Sequence, residues 1–499
     1  MNTFLGIDLG ASSGRAVLGV LEKGVLNLEV IYRFSNGGIL VNKSFYWDIL
    51  RLYKEILTGL QRFRESYDYQ LSSIGINTWG VDYVALDNSN NPIGFPYHYR
   101  DKRTKGILPK MYKRVPKKEI FEQTGIQFLP INTSTQLYSM VLAKSPQLKI
   151  FDKVLMVPDY FNFVLSGSKR TEYTIASTSQ LLNPRTIDWA FGLIQQLGFN
   201  KRWFCKLVEP GTVLGKLRES VCRNSGLNGS VDVVTPACHD TASAVAAIPL
   251  NDEDSMSGNW AYISSGTWSL MGIELNQPLI NDKVLKYNFT NEIGVNRTIR
   301  FLKNLTGMWI IQECKKIWNR QEPDFSWSDL DERTEKASPS TTFINPDDSI
   351  FLNPPHMIEA IETFCQKTHQ EIPNSIGEIS RTIFESLAFR YRQVRDQLCE
   401  ISNREIEVLY IIGGGSQNDL LNQFTSNVLD VEVKAGPTEA TVIGNVLVQA
   451  MGKKKVKSVS HMRKIVRSSF PIKSYTPKQV DHWEESYRSY LKAIEGSSK

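Results

Sequence analysis

The sequence predicts an α/β fold in two related halves, and three observations support this prediction. The chain has 499 residues, more than one hydrophobic core normally serves. An apolar, β-prone run followed by a small, hydroxyl-rich turn occurs twice, at Asp8–Arg15 and at Ser264–Ser269. Predicted strands and helices alternate in both halves. We therefore expect one domain over residues 1–248 and a second over residues 249–499.

The first half is predicted to form three strands, a helix and a returning strand. Residues 3–34 hold the three strands, and the last of them, Leu26–Phe34, alternates apolar and polar residues as a half-buried strand does. Asp48 precedes a segment, Ile49–Leu60, whose apolar residues recur at helical spacing, so it is placed to cap a helix. Ser73–Trp79 is the returning strand. This order predicts an α/β layer with a mixed sheet.

The second half is predicted to repeat this opening, with Gly266 corresponding to Gly10. Pro249 and the acidic-polar run 251–258 break the pattern near the boundary, and residues 319–356 are predicted to be a loop-rich insertion. The predicted elements are strands at Trp260–Ile263 and Trp268–Ile273, a long helix at Ile376–Ile401, a strand at Glu407–Ile412 before the turn Gly413–Gly415, a helix from Asp419, a strand at Val431–Val433 and a helix from Glu439.

Composition excludes several classes of protein. The net charge of +6 is small for this length, and the basic block Lys453–Lys455 is too short to indicate a nucleic-acid partner. No apolar run is long enough for a membrane span, and Asp8 interrupts the apolar start, which disfavours a signal peptide. The 6 cysteines form no Cys-x-x-Cys pair, so neither a zinc site nor a disulfide framework is expected. We expect a reduced, cytoplasmic protein.

The two turns are candidate anion-binding sites, because small residues let an anion approach backbone N–H groups and hydroxyls. Asp8 ends the first strand beside its turn. A carboxylate there either holds Mg²⁺ through water or only caps its own turn. The chain has neither a Gly-x-x-x-x-Gly-Lys-Ser/Thr phosphate loop nor a Gly-x-Gly-x-x-Gly opening after its first strand.

Asp240 is the candidate general base. It follows a strand-like run, Val231–Thr235, and precedes an alanine-rich helical run, which puts it at or beside a helix N-cap. Most such aspartates only cap. The alternative role is proton acceptor, since the positive end of a helix keeps the carboxylate ionised and phosphoryl transfer needs only a positioned acceptor.

Three further features leave a choice between a ligand site and ordinary structure. Trp79 and Asp82 flank Gly80 after a buried strand, where they either contact a sugar or belong to the core. Tyr97–Arg103 either lines a polyol pocket or forms an exposed, charge-paired turn. The residues alone favour the exposed turn. Cys238 precedes His239 and is either a thiol whose oxidation inhibits or inert packing.

These segments together resemble one family. In chain order they are Asp8–Arg15, Thr78–Asp82, Tyr99–Asp101 with Arg103, His239–Thr241, Ser264–Ser269 and Gly413–Gly415. They are similar to the motifs of the FGGY carbohydrate kinases, and the similarity runs from residue 2 to at least residue 450. Within the family, the chain most resembles the members that phosphorylate L-rhamnulose. The segments that carry this resemblance are Gly125–Pro130, Pro158–Phe161, His239–Val245 and Ser264–Gly272.

The resemblance implies two ribonuclease-H-like domains of the actin, Hsp70 and sugar-kinase type, with ATP and sugar in a cleft between them that closes to exclude water. It implies transfer of a phosphoryl group from ATP to the C1 hydroxyl of L-rhamnulose, with Asp240 as the base. Asp8 is implied to bind Mg²⁺ through water. The implied ATP contacts are Ala11, Ser12, Ser13, Gly14, Arg15, Thr267, Gln312, Gly414 and Gly415, and the implied sugar contacts are Gly80, His239, Asp240, Thr241 and Asn304.

Two alternatives stay open from the sequence. L-fuculose kinase, or another ketose kinase of the same family, differs in a sugar hydroxyl that the motifs do not identify. A nucleotide-dependent scaffold like actin or Hsp70 shares the fold but needs no base beside a sugar, so Asp240 argues against it. The expected partners are a small ketose and ATP, with no nucleic acid and no membrane.

Overall fold

The computed structural model describes residues 2–68 and 70–495; residues 1, 69 and 496–499, which the two predicted domains include, lie outside the described residues. The strands in chain order are β1 Asn2–Leu9, β2 Ser13–Glu22, β3 Val25–Ser35, β4 Gly38–Val41, β5 Ser44–Trp47, β6 Ser73–Thr78, β7 Tyr83–Leu86, β8 Lys153–Met156, β9 Thr171–Glu172, β10 Leu182–Asn183, β11 Asp188–Trp189, β12 Leu207–Val208, β13 Val213–Lys216, β14 Asp232–Val234, β15 Trp260–Ser265, β16 Trp268–Leu275, β17 Thr290–Ile293, β18 Ile299–Thr306, β19 Val408–Ile412, β20 Glu432–Ala435 and β21 Lys473–Tyr475.

The α-helices lie between these strands. In chain order they are α1 Ile49–Ser66, α2 Ile107–Arg114, α3 Lys117–Thr124, α4 Thr133–Leu142, α5 Val157–Ser166, α6 Tyr173–Ser177, α7 Phe191–Gln196, α8 Glu219–Ser225, α9 Asp240–Ala246, α10 Asp252–Ser257, α11 Asp282–Tyr287, α12 Trp309–Gln321, α13 Trp327–Lys336, α14 Met357–Lys367, α15 Ile376–Ser402, α16 Asp419–Leu429, α17 Ala440–Gly452, α18 Val459–Ser469 and α19 Val480–Glu495.

Close packing divides the chain into two compact units. The first unit consists of Met1–Pro249, Glu274–Leu302 and Ala440–Phe470, and the second of Leu250–Ile273, Lys303–Glu439 and Pro471–Lys499. The chain first passes between the units one residue from the predicted boundary. Two later segments of the predicted second domain nevertheless pack in the first unit. The division at residues 248 and 249 stays a prediction about domains.

The first unit contains a six-stranded sheet in the order β13-β14-β6-β1-β2-β3. Strand β1 is antiparallel to β2 and parallel to β6, and β6 is parallel to β14. This is the mixed sheet that the sequence predicts. Because the three parallel strands β1, β6 and β14 end at one edge, the loops that follow them come together there.

The second unit repeats the arrangement of β1, β2 and β6, in which one strand has an antiparallel neighbour and a later parallel neighbour. Strand β15 is antiparallel to β16 and parallel to β19, which is followed by β20 in parallel and β21 in antiparallel orientation. The two turns share a hydrogen bond from the glycine N–H to a later carbonyl, three residues on in the first turn and two residues on in the second. The N–H of Gly10 donates to the Ser13 carbonyl at 2.9 Å, and the N–H of Gly266 donates to the Trp268 carbonyl at 2.9 Å.

Helix α17 explains why residues 440–470 belong to the first unit, because polar side chains on this helix bond to its sheet. The Gln449 amide donates to the Leu5 carbonyl at 3.1 Å and accepts from the Ser73 hydroxyl at 2.8 Å. The Asn445 amide donates to the Gly75 carbonyl at 3.2 Å. These groups are buried, so the bonds replace water that each group loses on folding.

Most predicted elements are present. Helix α1 begins after Asp48, whose carboxylate accepts from the N–H of Arg51 at 3.0 Å, and α15 begins after a capping box of Ser375 and Glu378. The prediction of a loop-rich insertion over residues 319–356 is wrong in part. Helix α13 lies within it, started by a capping box of Ser326 and Asp329 that the Asp, Ser and Pro content of the segment obscures.

Among the helices of the described residues, none combines the length and the apolar character needed to cross a bilayer.

Candidate active site

The edge where the parallel strands of the first unit end gathers the polar candidates of that unit. In the register of β1 and β6, Asp8 lies opposite Asn77 and Leu9 opposite Thr78. The N–H of Thr78 donates in turn to the Cys238 carbonyl at 2.9 Å, which continues the parallel pairing beyond β14. The loop after β1, the loop after β6 and the start of α9 therefore meet at this edge.

The first turn is held by hydrogen bonds from Asn36 and has two solvent-exposed residues. Asn36 holds it, because its N–H donates to the Ser12 carbonyl at 2.9 Å and its amide donates to the Gly10 carbonyl at 2.7 Å. Ser12 and Ser13 are exposed, Ala11 is half-buried and Gly14 is buried. This leaves hydroxyls facing solvent on a fixed backbone, a geometry that suits phosphate oxygens.

Asp8 is fixed by donors on both of its oxygens. The Arg15 guanidinium contacts Oδ2 through Nε at 3.0 Å and Nη2 at 2.9 Å, and the Asn77 amide donates to Oδ1 at 2.7 Å. Asn77 is itself buried and accepts from the amide of Asn445 at 2.5 Å. Helix α17 thus orients Asp8 through two amide side chains.

The donor set around Asp8 suits Mg²⁺ that arrives with a nucleotide. No group of three or more acidic, histidine or cysteine side chains that could cage a metal occurs in residues 2–68 and 70–495. Mg²⁺ commonly keeps several of its waters and uses one or two carboxylates together with substrate phosphates. Asp8 lies beside an open anion-binding turn, and its Oδ1, which accepts one hydrogen bond from Asn77, has a second lone pair for a metal-bound water. The residues therefore fit an ion bound through water.

Asp240 is the first residue of α9 and is held through one oxygen. Its Oδ1 accepts from the N–H of Thr241 at 2.5 Å and from the Thr241 hydroxyl at 3.1 Å, and His239 Nε2 lies 3.3 Å from it. About a third of the side chain is exposed, 32%. Burial raises the pKa of Asp240 above its usual value, and the charge of Asp8 adds to this, while His239 and Thr241 lower it.

The turn after β6 has a strained backbone beside the candidate sugar contact Gly80. Val81 has φ of 69°, an outlier for a β-branched residue, and the N–H of Asp82 donates to the Gly80 carbonyl at 2.9 Å. Two threonines hold it: the Thr178 hydroxyl accepts from the N–H of Val81 at 3.0 Å, and the Thr133 hydroxyl donates to its carbonyl at 2.6 Å. Such strain persists only where neighbours impose it, often at functional sites.

The Trp79 and Asp82 side chains belong to the core. Asp82 accepts from Trp47 Nε1 at 2.6 Å, Trp79 Nε1 at 3.0 Å, the N–H of Tyr99 at 3.1 Å and Gln136 Nε2 at 2.8 Å. Burial raises the pKa of Asp82 to about 6. These buried side chains therefore support the Gly80 turn from the protein interior.

The segment Tyr97–Arg103 is packed rather than an exposed turn. His98, Tyr99 and Asp101 are buried, and the Arg103 guanidinium donates to the Gln136 carbonyl at 2.8 Å. The favoured interpretation of this segment, an exposed charge-paired turn, is wrong because three of its residues are buried and Arg103 bonds inside the first unit, although Lys102 is exposed.

Cys238 is fully buried, and burial with the nearby Glu172 and Asp159 raises the pKa of its thiol well above the usual range. A reactive thiolate is disfavoured there, which supports inert packing.

In the second unit, four of the candidate nucleotide contacts lie at the edge where β15 and β19 end. The Thr267 hydroxyl is 3.3 Å from Gln312 Oε1 on α12, and the N–H of Trp309 donates to the Thr267 carbonyl at 3.2 Å. Gly414 is exposed and Gly415 is buried; a Cβ on Gly415 would lie 2.0 Å from the Ser265 hydroxyl. The close approach to Ser265 requires glycine at positions 413 and 415, whereas a Cβ on Gly414 would meet nothing within 4 Å.

Asn304 belongs to a different unit from the other candidate sugar contacts. It is half-buried on β18 in the part that belongs to the second unit, whereas Gly80, His239, Asp240 and Thr241 all lie in the first.

Four polar residues near the candidates had no motif to reveal them: Asn77, Asn445, Glu292 and Arg300. The last two contact His239 although they lie far from it in the sequence. The only available signal was the polar amides of Asn77 and Asn445 in apolar segments; Glu292 and Arg300 lie in strands that hold other polar residues, so they give no such signal.

Known proteins similar to this chain agree on one family. Residues 3–247 match the model of the N-terminal domain of the FGGY family of carbohydrate kinases, and residues 261–452 match that of its C-terminal domain. The chain is 44% identical over 491 residues to a rhamnulokinase of Bacteroides thetaiotaomicron, covering 98% of this chain and 99% of that protein. It is 43% identical over 479 residues to a rhamnulokinase of Bacillus subtilis, covering 96% of each.

Solved structures support the fold. The ligand-bound xylulose kinase of Lactobacillus acidophilus superposes with a TM-score of 0.80 at 14% identity, covering 100% of this chain and 99% of that one. Together with the two family models and the full-length relatives, this means that the chain belongs to the FGGY family of carbohydrate kinases.

Proposed function

We propose that this chain is an ATP-dependent kinase that phosphorylates the C1 hydroxyl of L-rhamnulose, giving L-rhamnulose 1-phosphate and ADP. Relatives called rhamnulokinase, similar over nearly the full length, support the substrate. The geometric observation that supports the chemistry is Asp240, a partly exposed carboxylate held through Oδ1 beside Asp8 at the edge where β1, β6 and β14 end.

The proposed reaction is a direct transfer. The C1 oxygen attacks the γ-phosphorus, the bond from that phosphorus to the bridging oxygen breaks, and ADP leaves with the electron pair. Asp240 accepts the hydroxyl proton through Oδ2, since the donors of Thr241 and the nearby His239 ring engage Oδ1. Little basicity is needed, because the hydroxyl loses its proton mainly as the new bond forms.

The two turns bind the nucleotide in this proposal. Ala11–Arg15 contact phosphate oxygens in the first unit, and Thr267, Gln312, Gly414 and Gly415 contact the nucleotide in the second. Asp8 would hold Mg²⁺ through water, and the bound ion would supply positive charge beside the phosphates. Gly80, His239, Thr241 and Asn304 contact the sugar.

The substrate is tested by measuring ADP release with L-rhamnulose, L-fuculose, L-xylulose and D-xylulose, with the phosphorylated carbon located by NMR of the product. We expect the highest kcat/KM with L-rhamnulose and phosphate on C1. A higher kcat/KM with L-fuculose would replace the proposed substrate, and polymerisation or nucleotide turnover that no sugar stimulates would favour a scaffold.

Acid should slow the reaction at a higher pH than the ordinary pKa of aspartate suggests. A protonated Asp240 cannot accept the hydroxyl proton, so the rate is full above its pKa and falls as the pH drops through it. Burial and Asp8 raise this pKa. The measurement is kcat between pH 4 and 8, with the fold checked by circular dichroism at each pH. A rate that stays constant down to pH 4 would contradict the assignment.

Replacing Asp8 by Asn should raise the Mg²⁺ concentration for half-maximal rate by about 10- to 100-fold, the usual effect of losing a group that orients a metal's ligands. The matched control is Asp232→Asn, which removes a buried carboxylate of the same unit paired with Lys216 at 2.7 Å. The control should leave the Mg²⁺ dependence unchanged. An unchanged dependence in Asp8→Asn itself would remove Asp8 from the metal's surroundings.

A further inference from the structure

A buried ion pair lies behind Asp240, on the opposite side of the His239 ring. Arg300 and Glu292 come from the paired strands β18 and β17, and Arg300 Nη2 lies 3.1 Å from Glu292 Oε2. Their side chains are 0% and 6% exposed, and that of His239 is 8% exposed. All three residues belong to the first unit.

The contact of Arg300 with His239 indicates which ring nitrogen of His239 carries hydrogen. Arg300 Nη2 lies 3.1 Å from His239 Nδ1. A guanidinium has only donors, so in a hydrogen bond between them Nδ1 is the acceptor and carries no hydrogen. The hydrogen of the neutral ring is then on Nε2, which faces Asp240 Oδ1 at 3.3 Å.

Glu292 has two roles in this arrangement. Its carboxylate balances the charge of Arg300, which has no access to water, and a lone buried charge would be costly. Its Oε2 also lies 3.3 Å from His239 Nδ1, on the same side of the ring as the guanidinium. With Nδ1 unprotonated, this oxygen accepts no hydrogen from the ring, so Glu292 acts by holding the Arg300 guanidinium, which fixes the ring edge that points away from Asp240.

We infer that Arg300 and Glu292 are positioning residues, which hold His239 as the Nε2–H tautomer so that its ring donates to Asp240 Oδ1. Together with the two donors from Thr241, this hydrogen bond fixes the carboxylate and leaves Oδ2 toward the substrate hydroxyl. The inference rests on the proposed function for the role of Asp240. Errors of about 1 Å in such positioning can cost about 10²-fold in rate.

The tautomer is tested directly on the whole protein labelled with ¹⁵N in its histidines. Two-bond correlation spectra at pH 7 to 8 distinguish the two neutral tautomers and the imidazolium, and the signal that is absent from His239→Gln assigns the ring. We expect the Nε2–H form. A ring that carries hydrogen on Nδ1, in either the other tautomer or the imidazolium, overturns the inference, whatever the variants below do.

The positioning role is tested with the double variant Glu292→Gln, Arg300→Gln, which removes both buried charges together and avoids leaving one unpaired. We expect kcat to fall about 10- to 100-fold, the sugar KM to change less, and the His239 signal to show a mixture of tautomers. Unchanged kcat with an unchanged tautomer overturns the inference.

The control is a second buried pair that has no contact with His239. Arg381 Nε lies 2.6 Å from Glu385 Oε1 on α15, with side chains 13% and 2% exposed. The double variant Glu385→Gln, Arg381→Gln should lose stability similarly and keep kcat, so an equal loss of kcat in both variants would reduce the effect to stability. If the wild-type protein phosphorylates none of the four ketoses, the proposed function fails, while the tautomer measurement still decides the geometry.

Discussion

Replacing Asp240 by Asn is expected to lower kcat by about 10²–10⁴-fold, the usual contribution of a positioned proton acceptor. The amide retains the shape of the side chain, and the three donors at Oδ1 determine its orientation. The amide oxygen occupies the Oδ1 position, where it accepts from Thr241 and His239. The NH₂ group then faces the substrate, where it cannot take a proton.

Single-turnover and steady-state rates with saturating ATP and sugar measure this effect. The KM values for both substrates should stay within a few-fold, because binding contacts are retained, and the midpoint of thermal unfolding should change little. Asp254→Asn is a suitable control, since Asp254 is a buried carboxylate of the second unit that pairs with Lys434 at 2.8 Å. Wild-type kcat in Asp240→Asn would exclude Asp240 as the base.

Local features of the candidate site were predictable because each depends on neighbouring residues. The strand before Asp8, the turn at Gly10 and the helix that starts at Asp240 follow from apolar patterning, small residues and capping chemistry within about ten positions. The family resemblance extended this to roles, but the roles of individual site residues remain predictions.

Long-range polar contacts were not predictable from the same patterns. Asn445 bonds to Asn77 although the two are 368 positions apart, and Arg300 contacts His239 across 61 positions. Such contacts depend on how the segments pack, and a buried amide or ion pair leaves no periodic signal in the sequence. The Tyr97–Arg103 segment shows the converse, since its composition suggests an exposed turn, yet most of its residues are buried or half-buried and Arg103 bonds to Gln136, 33 positions away.

The second large effect is expected from a substitution where α17 crosses α9, which should lower both the stability of the protein and its rate. A Cβ on Gly444 would lie 1.9 Å from the carbonyl oxygen of Ser243 and 2.5 Å from its carbonyl carbon, both backbone atoms of α9. No side chain can move to relieve this overlap, so the helices must separate. We expect Gly444→Ala to lower the free energy of unfolding by about 3 kcal/mol, at the upper end for overpacking.

The expected loss of stability is opposite to the usual effect, because alanine inside a helix normally stabilises by about 1 kcal/mol relative to glycine. Gly192→Ala is the matched control. Gly192 lies in α7, and a Cβ there would come no closer than 3.7 Å to another residue. Thermal unfolding should show the control at or above the wild-type midpoint and Gly444→Ala well below it.

The rate of folded Gly444→Ala should also fall, because both candidate carboxylates depend on this crossing. Ser243 belongs to α9, whose first residue is Asp240, and the neighbour of Gly444 is Asn445, which orients Asp8 through Asn77. Separating the helices therefore shifts the proton acceptor and the metal-side carboxylate together. A variant with lowered stability but wild-type kcat at a temperature where it is fully folded would show that neither carboxylate depends on the crossing.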